Sequence, residues 1–313
     1  MPRALITGAS GLIGSALVPS LESHGYQVIR LVRRESKASE IRWEPTRPIP
    51  PDLVSGYDAV IHLSGETITG RWSAAKKARI RDSRVVSTKN LSEALAKTDS
   101  PPKEFLCASA TGFYGSRGDE VLTEESPAGA GFLAEVCQEW ESATAPATKA
   151  GIRTLNLRTG LVLSRNGGPL KEMLLPFRLG LGGRIGSGRQ WWSWIHIEDW
   201  LAAAHHILQN PLVNHETIVD RRASPPGPRL TLHGPINMVS PNPVTNAEFT
   251  KTLAKALNRP AILPIPAFAA RIALGELADE ALLASARVEP KALLDSGFGF
   301  KFPDSGSTLT NLL

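Results

Sequence analysis

The residues with the clearest chemical meaning lie near the start of the chain, in the stretch Thr7-Gly8-Ala9-Ser10-Gly11-Leu12-Ile13-Gly14. A short apolar run precedes the stretch and a helical pattern follows it, which is the context of a dinucleotide-phosphate loop. Gly8 would allow a tight turn, Gly11 a close approach to a pyrophosphate, and Gly14 the packing of helix on sheet. Amide groups at the helix start would bind the phosphates. A tight turn without ligand is the weaker alternative at this position. The predicted cofactor-binding residues here are Thr7, Gly8, Ser10, Gly11, Leu12, Ile13 and Gly14.

Two arginines, Arg33 and Arg34, follow the second predicted strand, residues 27–32. In the dinucleotide fold this position faces the adenosine ribose, where an acidic side chain selects NAD and an arginine accommodates the 2′-phosphate of NADP. A guanidinium can bind that phosphate with two hydrogen bonds. A solvated pair of arginines is the alternative. The absence of an acid favours NADP(H) as the cofactor.

The elements that would position these residues alternate between apolar strands and helices. Strands are predicted at 4–6, 27–32, 58–63, 105–108, 154–158 and 235–239, and helices at 73–97 and 132–149, with an end or kink near Pro146. This order predicts an α/β, Rossmann-type doubly wound parallel sheet with a smaller, helix-rich C-terminal domain on the substrate side. The predicted domains are 1–245, with a substrate-side loop at 165–195 and a surface insert at about 214–230, and 246–313.

Ser64, Gly65 and Glu66 follow the third strand, at the sheet edge where parallel sheets receive ligands. The Trp191-Trp192-Ser193-Trp194 stretch is either a loop over a pocket or an aromatic core or interface patch.

Composition excludes several classes of protein. The chain has 313 residues, 42% hydrophobic, and a formal charge of +5 without a long basic run. An anionic small ligand explains that bias as well as nucleic acid does. Cys107 and Cys137 stand in apolar surroundings, so we expect reduced thiols. No metal-ligand spacing, signal peptide or membrane-spanning run is present, and we expect a cytoplasmic protein without nucleic-acid or membrane partners. A homodimer is compatible with the sequence.

Three further motifs, together with the glycine spacing, resemble those of the extended short-chain dehydrogenase/reductase superfamily. These are His62-Leu63-Ser64-Gly65, the segment Ser109 to Gly115, and Leu157-Arg158-Thr159-Gly160. Segments 132–137, 175–183 and 264–303 narrow the resemblance to its atypical "epimerase family" branch, which carries a small C-terminal domain. The resemblance implies an oxidoreductase or epimerase that uses NADP(H). The cofactor contacts predicted beyond the glycine stretch are Arg33, Arg34, Leu63, Ser64, Gly65, Glu66, Arg84, Ser109 and Val162.

The chain departs from that superfamily at the catalytic positions. Active members use a Tyr and a Lys four residues apart on one helix, and the matching positions here are Phe132 and Val136. Neither side chain can transfer a proton. The third usual position corresponds to Ala110, which stands between Ser109 and Thr111.

A displaced proton donor is therefore one hypothesis, with Tyr114, Ser109 and Thr111 as the candidate catalytic residues. Glu66 and His196 are further candidates. Each of these side chains also has a structural alternative, a hydrogen bond within the fold. The other hypothesis is a non-catalytic NADP(H)-binding sensor or interaction protein. The small-molecule substrate is not readable from the sequence.

Overall fold

A computed structural model describes residues 1–209 and 232–313 of the protein, and a seven-stranded parallel sheet forms its centre. The strands of this sheet are β1 (Arg3–Thr7), β2 (Gln27–Val32), β3 (Glu40–Arg42), β4 (Ala59–His62), β5 (Glu104–Ala110), β7 (Arg153–Thr159) and β11 (Gly234–Met238). Six further short strands among the described residues form two-stranded pairs outside it: β6 (Val121–Leu122), β8 (Leu161–Leu163), β9 (Trp191–Trp192), β10 (Trp194–His196), β12 (Val244–Thr245) and β13 (Arg287–Val288). The spatial order is β11-β7-β5-β4-β1-β2-β3. The order reverses between β1 and β4, which is where open parallel sheets form a ligand-binding crevice.

Helices cover both faces of the sheet. They are α1 (Leu12–Ser23), α2 (Ala74–Lys97), α3 (Phe132–Ser142), α4 (Ala145–Lys149), α5 (Gly168–Arg178), α6 (Ile197–Gln209), α7 (Asn246–Ala256), α8 (Ala267–Leu274), α9 (Lys291–Asp295) and α10 (Ser305–Leu312). Short helical turns lie at Pro51–Val54, Thr111–Tyr114 and Ala278–Leu282.

Alternation along the strands divides the core into two layers. Ala4 and Ile6 of β1 face a cluster that contains residues of α1 and α6, whereas Leu5 faces a cluster that contains residues of α2 and α3. Successive side chains of a strand point to opposite faces, so a strand buried on both sides is apolar throughout. The predicted Rossmann-type fold is confirmed.

Some boundaries differ from those predicted. The helix expected over 132–149 is interrupted after Ser142, and Pro146 stands in the first turn of α4, where its missing N–H costs no hydrogen bond. The three-residue strand β3 was not predicted because it has no apolar run. Most of the Trp191–Trp194 stretch belongs to the core: Trp192 and Trp194 are buried against Phe249 and neighbouring residues. The predicted insert at 214–230 lies outside the described residues.

The C-terminal region is rich in helices and packs tightly on the rest of the chain. Strands β12 and β13 pair with β9 and β6. The buried carboxylate of Asp199 accepts hydrogen bonds from the backbone amides of Lys301 and Phe302, at 2.8 and 2.9 Å. These contacts fix the C-terminal region against α6. The domain boundary at 245/246 stays a prediction.

Candidate cofactor-binding site

The glycine stretch forms the turn between β1 and α1, next to the end of β4. The first backbone hydrogen bond of α1 runs from Ser15 N to Gly11 O, at 2.9 Å, and no side chain caps the helix. The amides of Leu12, Ile13 and Gly14 consequently have no partner within the described residues. Three donors at the positive end of a twelve-residue helix are the chemistry that binds a phosphate.

The three glycines differ in what requires them. A Cβ on Gly8 would lie 2.7 Å from the carbonyl carbon of Leu63, and Gly8 has a φ of +70°. A Cβ on Gly14 would lie 2.3 Å from the carbonyl oxygen of Gly8. At both positions the surrounding backbone excludes a side chain. A Cβ on Gly11 would meet only the Gly8 oxygen, at 3.3 Å, and the backbone φ of Gly11 is an ordinary −75°. The fold therefore needs glycine less strictly at position 11, where one tight contact would have to relax by a few tenths of an ångström, than at positions 8 and 14. A ligand seated on the amides would add a stronger requirement for glycine there.

A chain of hydrogen bonds ties this turn to β4. The Thr7 hydroxyl oxygen accepts from the amides of Leu63 and Ser64, at 3.2 and 3.3 Å, and so donates its own hydrogen to His62 Nδ1, at 2.7 Å. His62 Nε2 then carries the ring proton and donates to Ser87 Oγ, at 3.2 Å. Burial lowers the pKa of His62 to about 3, so the ring is neutral at pH 7. Thr7, predicted as a cofactor contact, uses its hydroxyl to fix the turn.

Arg84 on α2 supplies a positive charge beside the end of β4. Its guanidinium donates to Ile80 O, at 3.0 Å, and lies 5.1 Å from the centre of the Trp140 ring. The guanidinium also lies close to Gly65, since a Cβ added to that glycine would be 3.1 Å from the central carbon of the group. Burial lowers the pKa of Arg84, and no carboxylate pairs with it within the described residues. The charge of Glu66 acts on Arg84 only at longer range, and a partly buried cation that forms no ion pair is a suitable neighbour for an anionic ligand.

The two arginines after β2 have different surroundings. Arg34 forms a two-pronged ion pair with Glu40, at 2.8 and 2.6 Å. Arg33 is exposed and has no hydrogen bond or ion pair within the part of the chain that is described. Only Arg33 therefore presents a guanidinium that is free to bind a phosphate, whereas Arg34 would first have to leave its carboxylate.

The segment that follows β8 forms another wall near the turn. Val162 is buried in the same core cluster as the sheet, and a Cβ on Gly168 would lie 2.7 Å from the Leu12 side chain and 3.3 Å from Val162 O. Val162, predicted as a cofactor contact, therefore neighbours the start of α1.

These residues fit a dinucleotide. The uncapped amides of α1 match its pyrophosphate and Arg33 matches a 2′-phosphate. Arg84 adds positive charge at the edge of the sheet.

Two of the three candidate catalytic residues belong to one buried network. Ser109 Oγ donates to Glu141, at 2.6 Å, and Glu141 accepts two hydrogen bonds from Arg158, at 2.8 and 2.9 Å. Arg158 also donates to the Tyr114 hydroxyl, at 3.0 Å, which in turn donates to Asn237 Oδ1, at 2.7 Å. Tyr114 is fully buried, and burial raises the pKa of its hydroxyl to about 12. In this arrangement the two hydroxyls cross-link the ends of β5, β7 and β11.

The remaining candidates divide similarly. The hydroxyl of Thr111 has no hydrogen-bond partner within the described residues. Glu66 pairs with Lys76, at 2.9 Å, and that hydrogen bond lowers its pKa, so it is a carboxylate at pH 7. His196 is buried and stacked on Phe302, with 4.0 Å between ring centres, and burial lowers its pKa. Thr111 therefore keeps a free hydroxyl, while Glu66 and His196 have structural partners.

At the positions of the usual Tyr-Lys pair, Phe132 and Val136 are buried in an apolar cluster. The Lys77 ammonium of α2 lies 4.4 Å from the centre of the Phe132 ring and pairs with Glu276, at 2.7 Å. Glu280 accepts from the amides of Phe132 and Leu133, at 3.2 and 3.0 Å, and so caps α3. Sequence reasoning missed this group because its members come from distant parts of the chain: Lys77 and Glu276, for example, are 199 residues apart.

Among residues 1–209 and 232–313, no helix is both long enough and apolar enough to cross a bilayer. In the same residues, no group of three His, Cys, Asp or Glu side chains is placed to hold a metal ion.

Comparisons with known proteins agree with this geometry. Epimerase family protein ML0860 of Mycobacterium leprae is 42% identical and covers 97% of this chain and 94% of its own length. The crystal structure of human epimerase family protein SDR39U1 with NADPH matches with a TM-score of 0.85 at 32% identity, over 99% of this chain and 98% of that chain. A nucleoside-diphosphate sugar epimerase from Corynebacterium glutamicum matches with a TM-score of 0.76 at 38% identity, over 100% of this chain and 58% of that one. Residues 265–312 match a domain of unknown function, DUF1731. Since residues 4–219 match its family model, the chain belongs to the NAD dependent epimerase/dehydratase family.

Proposed function

We propose that this protein binds NADP(H) at the turn between β1 and α1 and is an oxidoreductase or epimerase that lacks the usual Tyr-Lys pair. The observation that carries the proposal is the uncapped start of α1, where three backbone amides have no partner within the described residues and the fold needs glycine less strictly at Gly11 than at Gly8 or Gly14. The related human protein was crystallised with NADPH, which supports the same cofactor here. The free guanidinium of Arg33 supports the phosphorylated form of the dinucleotide.

The matched pair Arg33→Ala and Arg34→Ala tests this cofactor preference. We expect Arg33→Ala to weaken NADPH binding by about tenfold or more, because a hydrogen bond to a charged group contributes about 1.5–3 kcal/mol. NADH binding should change little. Arg34→Ala should leave the affinity for NADPH near that of the wild type, because Arg34 is paired with Glu40. Calorimetry that gives the wild type equal affinities for NADPH and NADH would contradict the proposal.

When bound, NADPH supplies a hydride, and the residues of this chain would have to supply the proton. Ser109 and Tyr114 hold their protons in the buried network, and Phe132 and Val136 carry none. Outside that network, Thr111 has a hydroxyl without a hydrogen-bond partner among the described residues. The Lys77 ammonium, which is paired with Glu276, lies at the face of the Phe132 ring. These two groups are the candidates for a displaced acid. A positioned acid contributes about 10²–10⁴-fold to rate.

A non-catalytic NADP(H)-binding protein is the second candidate function. The commitment of Ser109 and Tyr114 to structural hydrogen bonds favours it. Turnover of NADPH with a panel of ketones, aldehydes and nucleotide sugars separates the two functions. We expect negligible turnover on these ordinary substrates despite NADPH binding. Robust turnover that is lost in Lys77→Met or Thr111→Val would establish a displaced acid, and robust turnover lost in Tyr114→Phe would show that the buried network opens.

A further inference from the structure

The exposed apolar side chains of this protein are concentrated on one part of its surface. Twelve large apolar side chains are exposed among the described residues, and eight of them belong to residues 175–181 and 262–272. Ile262 is 80% exposed, and Leu175 and Ile272 are each 67% exposed. Contiguous exposure on this scale marks an interaction surface. The eight are Leu175, Leu179, Leu181, Ile262, Leu263, Ile265, Phe268 and Ile272, and we refer to them as the apolar face.

The two segments lie side by side. Ile265 N donates to Arg184 O and Gly186 N donates to Ile265 O, each at 2.8 Å. The Arg259 guanidinium donates to Arg178 O, at 3.0 Å. The backbone from the end of α5 onward is therefore joined to the segment that leads into α8, which brings the two exposed segments side by side.

The two segments that carry the apolar face are themselves rich in basic residues. Residues 171–189 and 259–272 contain six Lys or Arg and a single acid, Glu172. Arg271 pairs with Asp279, but the other five cations have no ion pair within the described residues. Arg184 and Arg259 donate to backbone carbonyls, which hold the guanidinium groups without neutralising them. The basic residues are Lys171, Arg178, Arg184, Arg189, Arg259 and Arg271.

A basic cleft continues the apolar face at its α5 end. The cleft has a volume of about 490 Å³, and Leu175 belongs to both. Lys171 and Arg178, about two helical turns apart on α5, line it together with Arg165 from the preceding loop. A pocket that combines three cations with leucine side chains suits a phosphate attached to an apolar body.

We propose that the apolar face and its basic cleft bind the surface of an anionic lipid bilayer. The apolar side chains would enter the boundary between headgroups and acyl chains, and the cations would contact lipid phosphates. A second copy of the chain fits poorly, because pairing this face with itself would oppose two sets of unpaired cations. An acidic protein helix would need a groove, whereas these side chains protrude with exposures of 37–80%. The expectation of no membrane partner rested on the lack of a spanning run, and this surface lies on a bilayer without crossing it.

Vesicle sedimentation with the full chain tests the proposal. We expect vesicles of phosphatidylcholine with about one third phosphatidylglycerol to bind the protein at least about tenfold more tightly than phosphatidylcholine alone. Binding should weaken as salt rises from about 0.05 to about 0.5 M, because screening shortens the reach of the charges. Equal binding to both kinds of vesicle, or no binding to the anionic vesicles, would overturn the proposal. The same holds if an acidic peptide binds to this surface and the anionic vesicles do not.

Matched variants separate this surface from general stickiness. The double variant Phe268→Glu/Ile272→Glu and the double variant Lys171→Glu/Arg178→Glu should each lose about tenfold or more in binding to anionic vesicles. The controls Leu53→Glu/Leu294→Glu and Lys97→Glu/Lys149→Glu make the same changes at exposed positions elsewhere and should bind as the wild type. Melting temperature shows that each variant is folded. Folded test variants that bind as tightly as the wild type would overturn the proposal.

Discussion

Substituting alanine for Gly11 and for Gly14 separates what the ligand requires from what the fold requires. In Gly14→Ala the new Cβ would lie 2.3 Å from Gly8 O and 2.8 Å from Ala9 Cα, and both are backbone atoms that cannot rotate away. Overpacking of this kind costs about 1–3 kcal/mol. In Gly11→Ala the nearest atom is 3.3 Å away and the backbone is extended. An alanine at this helix N-cap costs at most about 1 kcal/mol.

The two variants should therefore rank oppositely in two assays. A loss of 1 kcal/mol lowers the melting temperature of a chain of this size by about 2–4 °C, so Gly11→Ala should stay within about 4 °C of the wild type and Gly14→Ala should fall further. For NADPH, loss of one charge-assisted hydrogen bond in Gly11→Ala weakens binding about 10- to 150-fold. Calorimetry and thermal melting measure both quantities. Wild-type affinity in a folded Gly11→Ala would refute the phosphate-loop interpretation, and a wild-type melting temperature for Gly14→Ala would refute the packing.

Three further predictions concern the interior. The first is that the free energy of unfolding falls on acidification because of His62. The pKa of His62 is about 3 in the folded chain and 6.5 in the unfolded chain, so between these pH values only the unfolded chain takes up a proton. The free energy of unfolding should therefore fall by about 2 kcal/mol from pH 7 to pH 5. Urea unfolding at both pH values should show this loss in the wild type but not in His62→Asn; equal losses would contradict it. Burial raises the pKa of Cys107 and Cys137 to about 12, so a thiol reagent should modify both thiols only after denaturation, and rapid modification of the native protein would show that the core opens. Glu141→Gln should lower the free energy of unfolding by about 3–5 kcal/mol, because it leaves buried Arg158 without its counter-ion. Asp295→Asn, which breaks an exposed ion pair, should lower it by less than about 1 kcal/mol. Similar losses for the two variants in urea unfolding would refute this distinction.

The sheet and the glycine turn were predictable because their signals are local. Strands 27–32 and 58–63 are apolar runs of the length that a buried strand requires, and the observed β2 and β4 lie within them. The glycine spacing was predictable because the backbone leaves no room for a side chain at Gly8 and Gly14, so the requirement is visible in the residue type itself. The strand β3 and the break between α3 and α4 carry no comparable signal, because a three-residue strand and a single turn depend on their neighbours.

The state of each candidate side chain was not predictable in the same way. Arg33 and Arg34 are adjacent and identical in type, yet a carboxylate six residues further on occupies only Arg34. Ser109 and Thr111 stand on either side of Ala110, yet only Ser109 reaches Glu141, 32 residues away. Residue type shows what a group is able to donate. Its availability depends on contacts that only the folded chain creates.

The two halves of the candidate site differ in this availability, and the difference bears on function. At the start of α1 three backbone amides have no partner within the described residues, and the same holds for the exposed guanidinium of Arg33 after β2. At the ends of β5, β7 and β11 the polar groups of Ser109, Tyr114 and Arg158 are instead satisfied by one another. A network of this kind stabilises the folded state and would have to be broken before either hydroxyl could serve a reaction. The donors that a dinucleotide phosphate would need are therefore available without rearrangement of the fold. Proton transfer by Ser109 or Tyr114 would first require the network to open, so Thr111 and Lys77, which lie outside it, are the first groups to test.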